Sequence, residues 1–208
     1  MKRSMRSGGA GVAAAALIVA LALPACRTGD GHSQETLPPA PPTTTTTTID
    51  VTKVPAVIDV TYVQAVVDKL DVVIGDAVRV LVANKGVPNA EFVQLLTAVY
   101  GDKQFQREQE DYGSYTGVEP YPIRQDAPNP VTRVTRILGS SSVCVVAEAD
   151  RDFGPIFVHP PANRQTQSLV QLGRKHPERD PSDRNPTVWA ITVDGLAAGA
   201  SVKDRPCS

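Results

Sequence analysis

Three acidic residues alternate along a stretch of the chain that has the composition of a β-strand. Glu148, Asp150 and Asp152 share one face of this strand with Cys144 and Val146, because successive side chains of a strand point to opposite faces. A carboxyl group withdrawn from water holds its proton more tightly and can act as a general base. The simpler interpretation is that these acids form the solvated end of a sheet face. The opposite face is apolar, like a core face, and this favours the simpler interpretation.

Aromatic residues offer a second set of candidate ligand contacts. Tyr112, Tyr115 and Tyr121 precede the predicted strands, and packing of an amphipathic loop is the simpler role for them. Trp189 alternates with Ile191 and Val193 on a later strand and could form the floor of a pocket for an apolar ligand, although core packing is its simpler role. The candidate pocket residues are therefore Asp150, Tyr112, Tyr115 and Trp189.

Several classes of site lack their usual signature in this sequence. His32, His159 and His176 have no second imidazole at ligand-like spacing, so we expect no metal site. The chain has no Cys-x-x-Cys pair, no G-x-S-x-G motif and no glycine-rich phosphate loop. A formal net charge of −1 gives no basic excess for binding nucleic acid. We therefore expect no cofactor and no nucleic-acid partner, and we assign no catalytic residue.

The N-terminus has the layout of a secretory signal. Three basic residues among the first six precede an uncharged stretch with an apolar centre at residues 11–23, short for a membrane span. The run ends in Leu23-Pro24-Ala25-Cys26, which resembles the lipobox of bacterial lipoprotein precursors, although Pro24 replaces a small or aliphatic residue. The resemblance implies cleavage after residue 25, a diacylglyceryl group on Cys26, and attachment to the extracytoplasmic face of the cell membrane. An ordinary signal peptide and an uncleaved anchor are the alternatives.

Residues 26–55 follow as a predicted tether. The segment up to residue 48 is rich in proline and threonine and almost devoid of large apolar groups, a composition that favours extended, solvated backbone. The run Thr43 to Thr48 also suits O-linked sugars, which we keep as a hypothesis. The sequence thus divides into a signal peptide (1–25), a tether (26–55) and a folded domain (56–208).

The folded domain begins with helical periodicity. Apolar residues from Val63 to Leu81 recur at helical spacing, Thr61 and Gln64 fit a capping box, and Gly86 suits the C-terminal cap. A second helix is predicted to start at Asn89 and to end at Gly101. The stretch "DKQFQREQEDY" predicts a third, polar helix.

Later segments alternate with a period of two and predict four strands. Their sequences are "VTRVTRIL", "SSVCVVAEADRDF", "QSLVQLGRK" and "TVWAITVDG". Arg133 and Arg136 in the first of them can form cross-strand ion pairs. Helices followed by consecutive strands indicate an α+β domain with an antiparallel sheet.

This order of elements resembles the nuclear-transport-factor-two-like (cystatin-like cone) superfamily, and more closely uncharacterised secreted or lipid-anchored proteins of high-GC Gram-positive bacteria. The residues that carry the resemblance are "DVTYVQAVVDKLDVVIGDAVR", "VTRVTRIL" and "RNPTVWAITVDG". It implies helices packed into a bent, cone-like sheet. The superfamily includes isomerases, dehydratases, cyclases and binding modules, some of which pair a tyrosine with a carboxylate, so the fold leaves the activity open.

Two cysteines remain once Cys26 is lipidated. Cys144 lies in a predicted strand and Cys207 is the penultimate residue, and two thiols in an exported domain usually form a disulfide. One buried and one exposed thiol is the alternative. We expect a non-catalytic binding or assembly domain anchored to the membrane, with an envelope protein as candidate partner. The alternative is a small-molecule carrier, or an isomerase- or dehydratase-like enzyme, that uses the cone's cavity.

Overall fold

The computed structural model describes residues 48–115, 122–160 and 165–196. It contains three helices packed against a four-stranded antiparallel sheet, which confirms the predicted α+β class. The helices are α1 (Val60–Ala83), α2 (Ala90–Val99) and α3 (Asp102–Gly113). The strands are β1 (Val131–Ser140), β2 (Cys144–Asp152), β3 (Gln165–Arg174) and β4 (Trp189–Leu196). Signal peptide, Cys26, Tyr121 and Cys207 lie outside the described residues.

Helix α1 begins one residue before the predicted capping box. Asp59 is its N-cap, and its carboxylate accepts a hydrogen bond of 2.8 Å from Tyr62 N. Gln64 does not bond back to the helix start, because its amide serves β1: Nε2 donates to Thr132 O and Oε1 accepts from Val134 N, both at 2.7 Å. The capping-box interpretation was therefore wrong, and Gln64 instead ties α1 to the sheet.

The C-terminus of α1 has the cap that the sequence predicts, shifted by one residue. Lys85 takes the first left-handed position with φ 55°, and Gly86 follows with φ 79°. Lys85 N donates to Val82 O and Gly86 N to Leu81 O, both at 2.9 Å, which is the Schellman pattern.

The other two helices match their predictions closely. Asn89 caps α2 by accepting from Phe92 N at 2.9 Å, and the apolar residues Phe92, Leu95, Leu96 and Val99 of α2 are all buried. Helix α3 covers the predicted polar segment and buries Gln104 and Tyr112.

The four strands pair in the order of the sequence, β1-β2-β3-β4, each antiparallel to the next. The edge strands are irregular. Strand β1 skips one residue between Val134 and Arg136 and another between Ile137 and Gly139. The pairing of β4 carries two similar irregularities along Ile191 to Leu196. Such bulges bend a strand and re-aim the side chains beyond them.

The core lies between the inner face of this sheet and helices α1 and α2. The whole predicted apolar stripe of α1, from Val63 to Leu81, is buried there. Segment 48–59 also joins the fold: Val51 is buried, Val188 N donates to its carbonyl, and Lys53 O accepts from Tyr62 Oη at 2.8 Å. The folded part therefore starts before residue 56, where composition places its boundary. None of the described helices is long and apolar enough to cross a membrane.

Gly75 provides a test of how α1 packs on the segment before β1. Replacing glycine by alanine inside a helix normally adds roughly 0.5–1 kcal/mol of stability. Here the new methyl group would overlap Asn129 Oδ1 and lie 3.1 Å from Asn129 Cα. We expect Gly75→Ala to lower the free energy of unfolding by about 1–3 kcal/mol, measured by urea denaturation.

Gly113→Ala is the matched control, because nothing lies within 4 Å of the point that its new methyl group would occupy at the end of α3. The double variant Gly75→Ala/Asn129→Ala should recover part of the loss, because it removes the overlapping Oδ1 but keeps Asn129 Cα and leaves Arg79 Nη1 without that acceptor. A Gly75→Ala protein as stable as the parent would contradict this packing.

Candidate functional site

A buried arginine lies at the centre of the polar residues inside the fold. Arg151 occupies the inner face of β2, in line with Val145, Ala147 and Ala149, and its side chain is 2% exposed. Its Nη2 lies 3.2 Å from Asp71 Oδ1, its Nε donates to Thr132 Oγ1 at 3.0 Å, and its Nη1 pairs with Asp194 Oδ2. A buried guanidinium requires such partners, because an unpaired charge in the interior is very unfavourable.

Asp71 brings helix α1 to this arginine. Its carboxylate also accepts from Thr132 N at 2.8 Å and from Thr132 Oγ1 at 3.1 Å. Burial raises the pKa of the Asp71 carboxyl, and the attraction of Arg151 opposes that shift without cancelling it. Asp71 is therefore linked to β1 and β2 by one group of hydrogen bonds.

Asp194 reaches the interior because of the irregularity in β4. Ile191 pairs with Leu172, but Val193 pairs with the adjacent residue Gln171, so β4 holds one extra residue at this point. Regular alternation from Ile191 would place Val193 on the inner face. Instead Asp194 is buried there, which corrects the sequence assignment of Val193 to the face of Trp189 and Ile191.

Gln104 links Asp194 to a second carboxyl group on α3. Asp194 N donates to Gln104 Oε1 at 3.1 Å, and Gln104 Nε2 donates to Glu108 Oε1 at 2.7 Å. Glu108 lies one helical turn after Gln104, so both side chains occupy the same face of α3. Burial raises the pKa of the Glu108 carboxyl, while the Gln104 hydrogen bond acts in the opposite direction.

A cavity of about 350 Å³ opens between α3, the connection that follows β2, and the end of β4. This volume lies within the range of small-molecule sites. We refer to it as the α3 cavity. Its described lining residues are Arg107, Glu108, Asp111, Tyr112, Ser114, Tyr115, Phe153, Ile156, Phe157 and Asp194.

Aromatic rings form much of the wall of the α3 cavity. Tyr115 packs edge-on against Phe157 with centroids 5.6 Å apart, and Tyr112 packs in the same way against Phe92 at 5.7 Å. The guanidinium of Arg151 lies 4.9 Å from the centre of the Phe153 ring. Burial raises the pKa of the Tyr112 hydroxyl, which therefore stays protonated as a hydrogen-bond donor.

The structure brings together two of the four candidate pocket residues. Tyr112 and Tyr115 both line the α3 cavity. Asp150 lies on the other face of β2, opposite Arg133 and Gln167 in the register. Trp189 is buried in the core, where its Nε1 donates to Tyr62 Oη at 2.8 Å.

The acidic run on β2 faces away from this site. Glu148 pairs with Arg136 across the strands, with Arg136 Nη2 2.7 Å from Glu148 Oε1, which confirms the cross-strand ion pair expected for Arg136. The pKa of the Glu148 carboxyl is lowered by that hydrogen bond. These contacts explain Glu148 as part of a solvated sheet face.

Sequence reasoning missed Arg151, Asp71, Asp194 and Glu108. A signal existed for two of them. Arg151 follows three apolar residues on the inner face of β2, and Asp71 lies between Leu70 and Ile74 on the buried stripe of α1. Charged residues at core positions are almost always paired, so each could have been sought as the other's partner. No comparable signal marks Asp194, whose direction depends on the β4 bulge.

A second cavity, of about 440 Å³, lies near the end of β3 and the start of α3. Two of the cationic side chains that line it already pair with acids of the protein. Lys175 Nζ bonds Asp180, Asp183 and the Asn185 carbonyl, and Arg179 pairs with Asp102. Within the described part of the chain, no group of three or more His, Cys, Asp or Glu side chains is arranged to hold a metal ion.

Removing Arg151 should be far more damaging than removing Arg136. Arg151→Met leaves Asp71 and Asp194 buried without a cation, so we expect a loss of about 3–5 kcal/mol in the free energy of unfolding at pH 7. Arg136→Met breaks a pair that water screens, so the free energy of unfolding should hardly change. Chemical denaturation of both variants measures the difference.

The loss in Arg151→Met should shrink as the pH is lowered. Burial already raises the pKa of the Asp71 carboxyl, and the variant removes the arginine that opposes this shift. The destabilisation is therefore smallest at low pH, where this carboxyl is protonated in both states, and grows as the pH rises towards its folded-state pKa. Adding Asp71→Asn and Asp194→Asn should restore part of the stability. Equal losses for the two arginine variants would contradict the central role of Arg151.

Comparison with known proteins leaves the function to be argued from this geometry. No family model, no curated protein and no solved structure matches the chain. The resemblance to the nuclear-transport-factor-two-like superfamily therefore rests on the order of elements and the quoted residues, and it stays a prediction.

Proposed function

We propose that the folded domain binds a small molecule in the α3 cavity, and that the protein presents this domain outside the cytoplasm on a lipid-anchored tether. The α3 cavity is the observation that carries the proposal. It combines aromatic walls with a few convergent polar groups, the combination typical of ligand sites. The inner face of the sheet is otherwise occupied by side chains of α1 and α2. The second cavity, near the end of β3, is lined by Lys175 and Arg179, which already pair with acids of the protein.

The polar groups of the cavity support binding rather than mere imperfect packing. Arg151 holds the Asp194 carboxylate, and Gln104 accepts from the main-chain N–H of Asp194 and donates to the Glu108 carboxylate. Side chains held in this way lose little further freedom when a ligand binds, which favours affinity. The cavity thus has a rigid polar floor beside the aromatic side chains of Tyr115 and Phe157.

A second candidate function is general acid–base catalysis in the same cavity. Burial raises the pKa of Glu108 towards the range in which a carboxyl can exchange a proton with a substrate, and protonated Tyr112 lies in the same cavity. This is the isomerase- or dehydratase-like alternative. It differs from simple binding because Glu108→Gln would then abolish turnover of a substrate that still binds.

The anchor is the second part of the proposal. It is supported by the basic start, the short apolar run and Leu23-Pro24-Ala25-Cys26. Two acyl chains hold a protein on a membrane much more firmly than one. The Cys144–Cys207 disulfide, which suits an exported protein, and an envelope protein as additional partner belong to this proposal.

Metabolic labelling with an alkyne fatty acid tests the anchor. We expect label on the native protein and its loss in Cys26→Ala, because the acyl chains are attached through that sulfur. Ser33→Ala, in the predicted tether, is the control and should keep the label. Label that persists in Cys26→Ala would contradict lipidation at this residue.

A fragment screen by two-dimensional NMR tests the cavity. We expect binding fragments to shift backbone signals of α3 and of the segment after β2. Ser114→Trp, which places an indole at the cavity lining, should abolish these shifts. Gln106→Trp is the matched control, because Gln106 is exposed on α3 outside the cavity lining. Fragments that bind both variants equally, or no fragments at the cavity, would contradict the proposed function.

A further inference from the structure

We propose that the α3 cavity selects an organic cation, with an ammonium group placed against Glu108 and an apolar body placed against Tyr115 and Phe157. This inference rests on the proposed function and names its ligand class. It follows from the charges that the fold places around the cavity, from the aromatic wall, and from a cation that already lies on one ring of that wall.

The charges around the cavity are unequal in number. Arg151 is shared by Asp71 and Asp194, so two carboxylates meet one guanidinium. Glu108 adds a third carboxyl, and its Oε1 bonds the neutral amide of Gln104. Among the described residues no ion pair forms on Glu108.

Arg107 does not correct this imbalance. Its side chain is 56% exposed, and its Nε lies 4.0 Å from Asp111 Oδ2 at the outer part of α3. Of the described lining residues, Arg107 is the cation and Glu108, Asp111 and Asp194 are the acids. A ligand that brings a positive charge supplies what this lining lacks, whereas an anion would meet an excess of carboxylates.

The aromatic wall suits the same class of ligand. A cation within about 6 Å of a ring centre is attracted by the ring's negative face. Phe153 already shows this arrangement with Arg151, whose guanidinium carbon is 4.9 Å from the ring centre. Tyr115 and Phe157 line the cavity beside it and form an edge-to-face pair, so an ammonium group with an apolar substituent finds both a carboxylate and rings.

Three probes with the same phenyl body but different charge test the inference. They are 2-phenylethylammonium, 2-phenylethanol and 3-phenylpropanoate, measured by NMR titration at pH 7. We expect the ammonium to bind at least about tenfold more tightly than the alcohol, equivalent to about 1.4 kcal/mol, and the carboxylate to bind most weakly.

Two variants of α3 locate the effect. Glu108→Gln should remove the preference for the ammonium probe, because the amide keeps the shape of the side chain without its charge. Glu110→Gln is the matched control: Glu110 is exposed on the same helix and does not line the cavity. It should keep the preference.

The pH dependence gives a second readout. Benzyltrimethylammonium has a permanent charge, so a change in its affinity reports on the protein. Burial raises the pKa of the Glu108 carboxyl, so this group is neutral at low pH. The affinity of the protein for the cation should therefore increase as the pH rises through that pKa. The same titration on Glu108→Gln should lack this step.

Other titrating or charged groups near Glu108 must be separated from it in this titration. They come from α3, the residue after α2, α1, β2 and β4: Arg107, Asp111, Tyr112, Tyr100, Asp71, Arg151 and Asp194. Both tyrosines have raised pKa values and stay neutral over the range. A step that survives in Glu108→Gln would therefore belong to an aspartate and would overturn the role of Glu108.

The outcomes distinguish this inference from the proposed function. If the alcohol or the carboxylate binds as tightly as the ammonium, or if the ammonium does not bind while other fragments occupy the cavity, the cation preference is overturned and the binding function stands. If no fragment shows binding that Ser114→Trp abolishes, both are overturned.

Discussion

The ion pairs of Arg151 determine how the parts of this fold are placed relative to one another. The guanidinium, buried on β2, must meet carboxylates, and these come from α1 and β4. Thr132 on β1 completes the group by accepting from Arg151 and donating to Asp71. A buried ionic group of this kind gives little net stability compared with apolar packing. Its physical effect is to favour one arrangement of helix and sheet, because any other leaves a charge unpaired.

The cavity lies next to this group of ion pairs, because Asp194 belongs to both. Asp194 can meet Arg151 because β4 contains an extra residue before it. After the bulge, the inner face of β4 carries the Asp194 carboxylate in place of an apolar side chain. Helix α3 covers this part of the sheet with the polar residues Gln104 and Glu108. Polar side chains that bond to one another cannot close the space as an apolar core does. The α3 cavity therefore opens beside Glu108.

The sequence predicted the elements well because apolar residues recur with one period in the helices and another in the strands. Asn89 caps α2 as expected, and the inner residues Val145, Ala147 and Ala149 are buried as the alternation predicts. The start of α1 was misplaced because Asp59, a strong N-cap, lies two residues before Thr61. Tyr112 and Tyr115 stand out as aromatic residues in a polar segment, and the structure places both in the lining of the α3 cavity. The sequence did not identify the acids Asp71 and Asp194. Tertiary packing brings Asp71 to Arg151, and a bulge that leaves no mark in composition brings Asp194 there.

The distribution of charge separates the two faces of the sheet in physical terms. On the outer face, Arg136 and Glu148 pair in contact with water, where they cost little and contribute little. On the inner side the acids outnumber the cation, and burial raises the pKa of both Asp71 and Glu108. Such an arrangement is less stable than an apolar core of the same volume. Local departures from the rules of stable packing are expected at functional sites, and the excess of acid beside an open cavity is the reason for proposing a binding site there.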